Sequence, residues 1–109
     1  MGIDRRKHPR IPIQLIVQYS DQRLFFTEFT INLSLGGICI EASKQIEPET
    51  MLTVSFSTQP AIKAKAIVVW SKKSKFKYEI GIRFSGLPQD KKSQISDIMA
   101  SVYWGIPLH

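Results

Sequence analysis

Asn32, Ser34, Gly36 and Gly37, spaced along the run N-L-S-L-G-G, bring together the means to hold a polar ligand. Asn32 can donate and accept hydrogen bonds, Ser34 adds a hydroxyl, and the glycine pair permits backbone conformations and close approaches that a side chain would block. The turn carries no charge of its own. Charge stands upstream, in the run R-R-K-H-P-R from Arg5 to Arg10. An arginine offers a planar fork that grips phosphate oxygens bidentately and also stacks on a base, which lysine does poorly. Arg5, Arg6 and Arg10 with the turn therefore form the first candidate binding set, suited to an anion that also presents hydrogen-bonding edges.

Other chemistries lack their residues. The single cysteine, Cys39, has no partner for an internal disulfide, and the two histidines, His8 and His109, sit at the chain ends without metal-site spacing. Cys39 is expected as a buried, inert thiol, and no metal site or cofactor is expected. No nucleophile stands beside a base and no paired carboxylates form a recognisable motif, so a non-enzyme is expected. Fifteen Lys and Arg against nine Asp and Glu give a net charge of +6, which favours an anionic partner. A second basic patch, separate from the arm, holds Lys63, Lys65, Lys72, Lys73, Lys75 and Lys77.

The elements that must position these groups are mostly strands. Pro9 and Pro12 disfavour helix before them, and residues 1–11 are expected as a flexible basic arm. Ile13, Leu15, Val17 and Tyr19 alternate as one strand, and Leu24 to Ile31 reads as its hairpin partner. Ile38, Ile40 and Ala42, and then Leu52, Val54 and Phe56, give two more. Ile62, Ala64, Ala66, Val68 and Trp70 share one face of a fifth, and a lysine-rich loop, Lys72 to Lys77, leads to a sixth with Tyr78, Ile80, Ile82 and Phe84. Six strands at short, regular spacing predict an antiparallel barrel or sandwich. Pro88 opens an amphipathic helix over Gln89 to Trp104, stopped by Gly105 and Pro107, whose face of Ile95, Ile98, Met99, Val102 and Tyr103 most simply caps an open end of the barrel, although a dimer contact would use the same residues.

An R-x-x-x-R pair, here Arg6 and Arg10 with Arg5 in front, followed by an [D/N]-x-S-x-x-G turn, here Asn32, Ser34 and Gly37, resembles the PilZ domain, the bacterial receptor module for cyclic di-GMP. The resemblance covers essentially the whole chain, including G-I-R-F at Gly81 to Phe84. It implies a mainly β fold, a six-stranded antiparallel barrel with a C-terminal helix and an N-terminal arm. The single domain of residues 1–109 then divides into the arm, a barrel over 12–86 and the helix over 88–104. It further implies that the arginines hold the phosphates and guanine faces of cyclic di-GMP while the polar turn contacts a guanine. Asn32 stands where aspartate is often found, and a neutral amide offers one carbonyl oxygen in place of two ionised ones. Trp70, beside the basic loop, and Arg83 are secondary candidates for the same ligand.

On this reading the chain relays the second messenger to a downstream protein partner through ordering of the arm. It is expected to be cytoplasmic, since no apolar run is long enough to span a bilayer and the start lacks the apolar core of a signal peptide. Two other classes compete. Phe25, Phe26 and Phe29 with the lysine-rich loop could serve a basic barrel that binds single-stranded nucleic acid, although that leaves the arginines and the turn without a role. A PilZ-like adaptor that binds no nucleotide is the third, and the presence of the arginines counts against it.

Overall fold

Alternation builds the strands. The computed structural model describes residues 10–58 and 60–104, with the backbone alone for 103 and 104. Seven strands follow in order: β1 (Ile11–Pro12), β2 (Ile16–Ser20), β3 (Phe25–Leu33), β4 (Gly37–Ala42), β5 (Met51–Phe56), β6 (Ile62–Ser74) and β7 (Lys77–Phe84). Among the described residues one helix, α1 (Gln89–Trp104), follows β7. β1 and β2 lie on the same side of β3, end to end, so together they fill one place in a closed six-stranded antiparallel barrel. β3 pairs with β4 to complete the ring.

Residues that alternate in the sequence point into this ring. Val17, Tyr19, Leu33, Ile38, Ile40, Leu52, Val54, Phe56, Ile62, Val68, Ile80 and Ile82 are all buried in one core. Tyr19 stacks on Phe26 with ring centroids 5.2 Å apart, and Phe56 meets Phe84 edge to face. Burial first, and then the charge of Glu28, pushes the Tyr19 phenol well above its ordinary value.

The helix begins where the Pro88 carbonyl accepts the Lys92 N–H at 3.0 Å, with Asp90 in the first turn to favour the helix dipole. Ile95 and Ile98, with Leu87 before the helix, complete the core, and Met99 packs against it. Val102, expected on the same face, is exposed. Ser101, one position earlier, is buried instead.

Three further expectations need correction. The first strand is not continuous from Ile13. The chain leaves the ladder at Ile13–Leu15, and the Thr30 hydroxyl closes the gap by accepting the Leu15 N–H at 2.9 Å and donating to the Ile13 carbonyl at 2.7 Å. The expected arm of residues 1–11 ends inside the sheet, because Ile11 and Pro12 pair with Leu33 and Asn32. Finally, Lys72 to Lys77 is no loop. β6 continues to Ser74, and a tight turn at Lys75–Phe76, with Lys75 at positive φ, leads straight into β7.

Candidate functional site

Asn32 ends the polar side of β3, and its direction depends on a bulge. Thr30 faces the core opposite Ile40, and a register shift between Thr30 and Asn32 makes Ile31 the extra residue. Asn32 is thereby turned to the outer surface opposite Cys39, with Pro12 on its other side. A second bulge between Val68 and Trp70 does the same on β6. Val68 is in the core opposite Ile82, Val69 is the extra residue, and Trp70 lands outside, opposite Gly81. Trp70 does not share the inward face of Ile62 and Val68 as its spacing suggests. Its indole lies over Gly81, in the space that a Cβ there would occupy.

The two bulges bound a single row across four strands: Asn32 on β3, Cys39 on β4, Gly81 on β7 and Trp70 on β6. Cys39 is on this outer row and still only 3% exposed. Burial raises its thiol pKa, Glu79 adds to the rise, and the positive charge of Arg10 opposes it. Arg10 stands just before Ile11 and Pro12, which pair with Leu33 and Asn32, so its backbone lies beside this end of the row. Arg10 itself is half-buried. The Asn32 Oδ1 is buried and has no hydrogen-bond partner among the described residues. An acceptor held in that condition is costly unless something else completes it.

The turn that follows is built differently from its appearance in the sequence. The Ser34 hydroxyl accepts the N–H groups of Gly36 and Gly37, both at 3.1 Å, and donates to the Gly37 carbonyl at 3.3 Å. Its one donor and two acceptor sites are thus engaged inside the turn, and the residue is 5% exposed. Gly36 accepts the Phe84 N–H at 2.9 Å, which ties the turn to β7. Gly37 lies so close to β7 that an added Cβ would collide with the Ile82 carbonyl oxygen. The glycine is required by that approach, since among the described residues only Gly86 is a glycine with positive φ.

Of the remaining candidates, Arg83 is exposed, opposite Gly37 and Ile67, one row removed from Asn32 and Trp70. Arg5 and Arg6 lie outside the described residues. The structure therefore brings Arg10, Asn32 and Trp70 to one surface, with Cys39 and Gly81 between them. Cys39 and Gly81 were not among the sequence candidates, and only the pairing of β4 with β7 reveals their place. The aromatic set suggested for nucleic acid divides: Phe26 turns inward onto Tyr19, while Phe25 and Phe29 are exposed. Among the described residues no three His, Cys, Asp or Glu side chains group as a metal site, and no helix is long and apolar enough to cross a membrane.

Comparison with known proteins is consistent with this architecture. Residues 4–101 match the family model described as PilZ domain. Comparison with curated protein sequences gives no match. Among solved structures, the chain is similar to the Bacillus subtilis inhibitor of motility MotI/DgrA, with TM-score 0.81 and 18% identity over 94% of this chain and 53% of that one. It is similar to the PilZ domain of YcgR from Escherichia coli with c-di-GMP, with TM-score 0.77 and 15% identity over 94% of each chain. The MrkH–c-di-GMP complex of K. pneumonia gives TM-score 0.78 and 13% identity over 94% of this chain and 54% of that one. The chain therefore spans about half the length of MotI/DgrA and MrkH, and at these identities the likeness is one of fold.

Proposed function

The chain belongs to the PilZ domain family, and from that premise we propose that it is a cyclic di-GMP receptor whose ligand lies across the outer row from Asn32 to Trp70. The observation that carries this reading is the buried Oδ1 of Asn32, without a hydrogen-bond partner among the described residues, opposite the strand that Arg10 leads into. A guanine N–H edge would supply the missing donor. Arg6 and Arg10, with Arg5, would hold the phosphates of the dianion, since a guanidinium matches phosphate oxygens and guanine acceptors alike. Trp70 offers the face of an indole for stacking. Ser34, Gly36 and Gly37 shape the turn that aims Asn32. No step here makes or breaks a covalent bond, so the role is reception and not catalysis. If ligand draws residues 1–10 over the row, the surface so formed is what a downstream protein would read.

Titration calorimetry with cyclic di-GMP, GTP and single-stranded DNA tests the reading. Selective binding of cyclic di-GMP, lost in Arg6→Ala and in Arg10→Ala, is expected. Undiminished binding in both variants would refute the assigned site, and steeply salt-dependent DNA binding without nucleotide selectivity would favour a nucleic-acid module instead. Amide exchange through residues 1–10 should slow on adding ligand, and equal exchange with and without it would rule out the relay.

A further inference from the structure

The lysine patch on β6 and β7 plays no part in the row just described, and its shape points to a different partner. β5 accompanies β6 only as far as the pairing of Met51 with Ile67. Val68 still bonds to Thr50 and Glu49; beyond it β6 has no sheet neighbour but β7, and the ribbon continues to the pairing of Ser74 with Lys77. At its apex Phe76 is 96% exposed. Lys72, Lys73, Lys75 and Lys77 surround it, all exposed.

Two acids stand at the base of this ribbon. Glu79 pairs across from Lys72, and Glu41 lies 3.9 Å from the Lys77 ammonium. Lys75 in the turn and Lys73 just below it have no acidic partner within ion-pair distance among the described residues. The tip thus sets a fully exposed aromatic ring, which gains from burial, beside ammonium groups that favour an anionic setting. It suits a boundary where apolar and anionic groups lie side by side.

We propose that the β6–β7 tip docks on an anionic phospholipid surface, with the Phe76 ring entering the headgroup boundary and Lys73 and Lys75 against lipid phosphates. A bilayer offers both chemistries in one plane, and a convex tip meets a plane well. Single-stranded nucleic acid calls instead for successive aromatics along a basic groove. Here the outward row that leads from Lys72 towards Phe29 runs through Glu79 and Glu41, which interrupts any such track. One ring and two free lysines give weak, reversible attachment, the kind that a second contact elsewhere would strengthen. The inference does not depend on the nucleotide ligand.

Sedimentation of the full chain with vesicles tests it, using phosphatidylcholine alone and phosphatidylcholine mixed equally with phosphatidylglycerol. Binding to the mixed vesicles and not to the neutral ones is expected. Phe76→Ser should lower the partition coefficient roughly tenfold. Lys73→Gln with Lys75→Gln should lower it roughly 30-fold, at about fivefold per lysine. Lys63→Gln with Lys65→Gln, on the part of β6 inside the barrel, should stay within about twofold. All five positions are exposed, so folding is preserved, and unchanged melting confirms it. Equal losses from the two lysine pairs would overturn the proposal, as would indifference to Phe76→Ser. So would absent vesicle binding together with Phe76-dependent binding of a single-stranded oligonucleotide.

Discussion

Replacing Ser34 by alanine should damage the fold, while replacing Asn32 by alanine should damage only binding. The difference follows from where their oxygens point. The Ser34 hydroxyl accepts hydrogen bonds from the Gly36 and Gly37 N–H groups and donates one to the Gly37 carbonyl. Alanine leaves those two N–H groups without an acceptor in a part-buried turn, at about 1 to 1.5 kcal/mol each, the low end of the cost for a buried unsatisfied donor. A total of about 2 to 3 kcal/mol corresponds to a fall in melting temperature of roughly 9 to 13 °C, given an unfolding entropy near 2.1 cal/mol/K per residue. The Ser34 N–H still reaches the Gly37 carbonyl at 2.9 Å, so the turn is loosened and not abolished. Asn32→Ala removes a buried acceptor that has no partner among the described residues, and its melting temperature should lie within about 2 °C of the parent. Thermal unfolding followed by circular dichroism, with calorimetric titration of cyclic di-GMP well below the transition, separates the two effects. If Ser34→Ala melts with the parent, or Asn32→Ala melts as low as Ser34→Ala is expected to, the division of labour argued for this turn is wrong.

Two other changes probe the same surface and one probes the barrel end. Gly37→Ala pushes a methyl group against the Ile82 backbone carbonyl, which cannot rotate away, and should cost about 1 to 3 kcal/mol in a melting experiment. Gly81→Ala meets only the Trp70 indole, which can swing outward. It should melt near the parent, with tryptophan emission shifted to the red and cyclic di-GMP binding weakened; an unshifted spectrum would show that the indole does not cover Gly81. Burial raises the Glu28 carboxyl pKa, Glu41 adds to the rise and Lys77 opposes it. A raised folded value means that Glu28 favours the fold below its unfolded pKa near 4.5, and that this contribution is lost as pH rises through the folded value. Glu28→Gln should therefore raise the melting temperature at pH 7 relative to the parent and give no gain at pH 4; a gain that is independent of pH would sink the argument.

The strands were legible because most core positions obey strict alternation: Val17 and Tyr19, Ile38 and Ile40, Leu52 to Phe56, and Ile80 to Phe84 all point inward as their spacing predicts. The helix over Gln89–Trp104 was legible from Pro88 and its apolar repeat. The site was legible as residue types and not as geometry. Counting by twos from Thr30 puts Asn32 inside, and counting by twos from Val68 puts Trp70 inside. Each is carried outside by one unpaired residue, Ile31 or Val69, and nothing in a single strand's pattern marks which apolar residue will be left unpaired. Cross-strand packing decides it. Gly81 leaves room for an indole that the core does not provide, and that information lies on another strand. For the same reason the role of Ser34 was obscured, since a hydroxyl engaged by its own turn and one offered to a ligand look alike in sequence.

The bulge at Val69 also makes the chain's length there a matter of parity. Deleting Val69 would remove the spare residue and close the ladder: Trp70 would follow Val68 directly, still opposite Gly81, and Ser71 would still face Ile80. Every side chain from Trp70 to Ser74 keeps its face, and only the local bend of β6 is lost. Deleting Ser71 instead, where no residue is spare, would put Lys72 opposite Ile80 and exchange the sides of Lys72 and Lys73. The loss of one residue is thus silent in register at Val69 and disruptive two positions later, so what the bulge adds to β6 is a place where its length can change without turning the strand over.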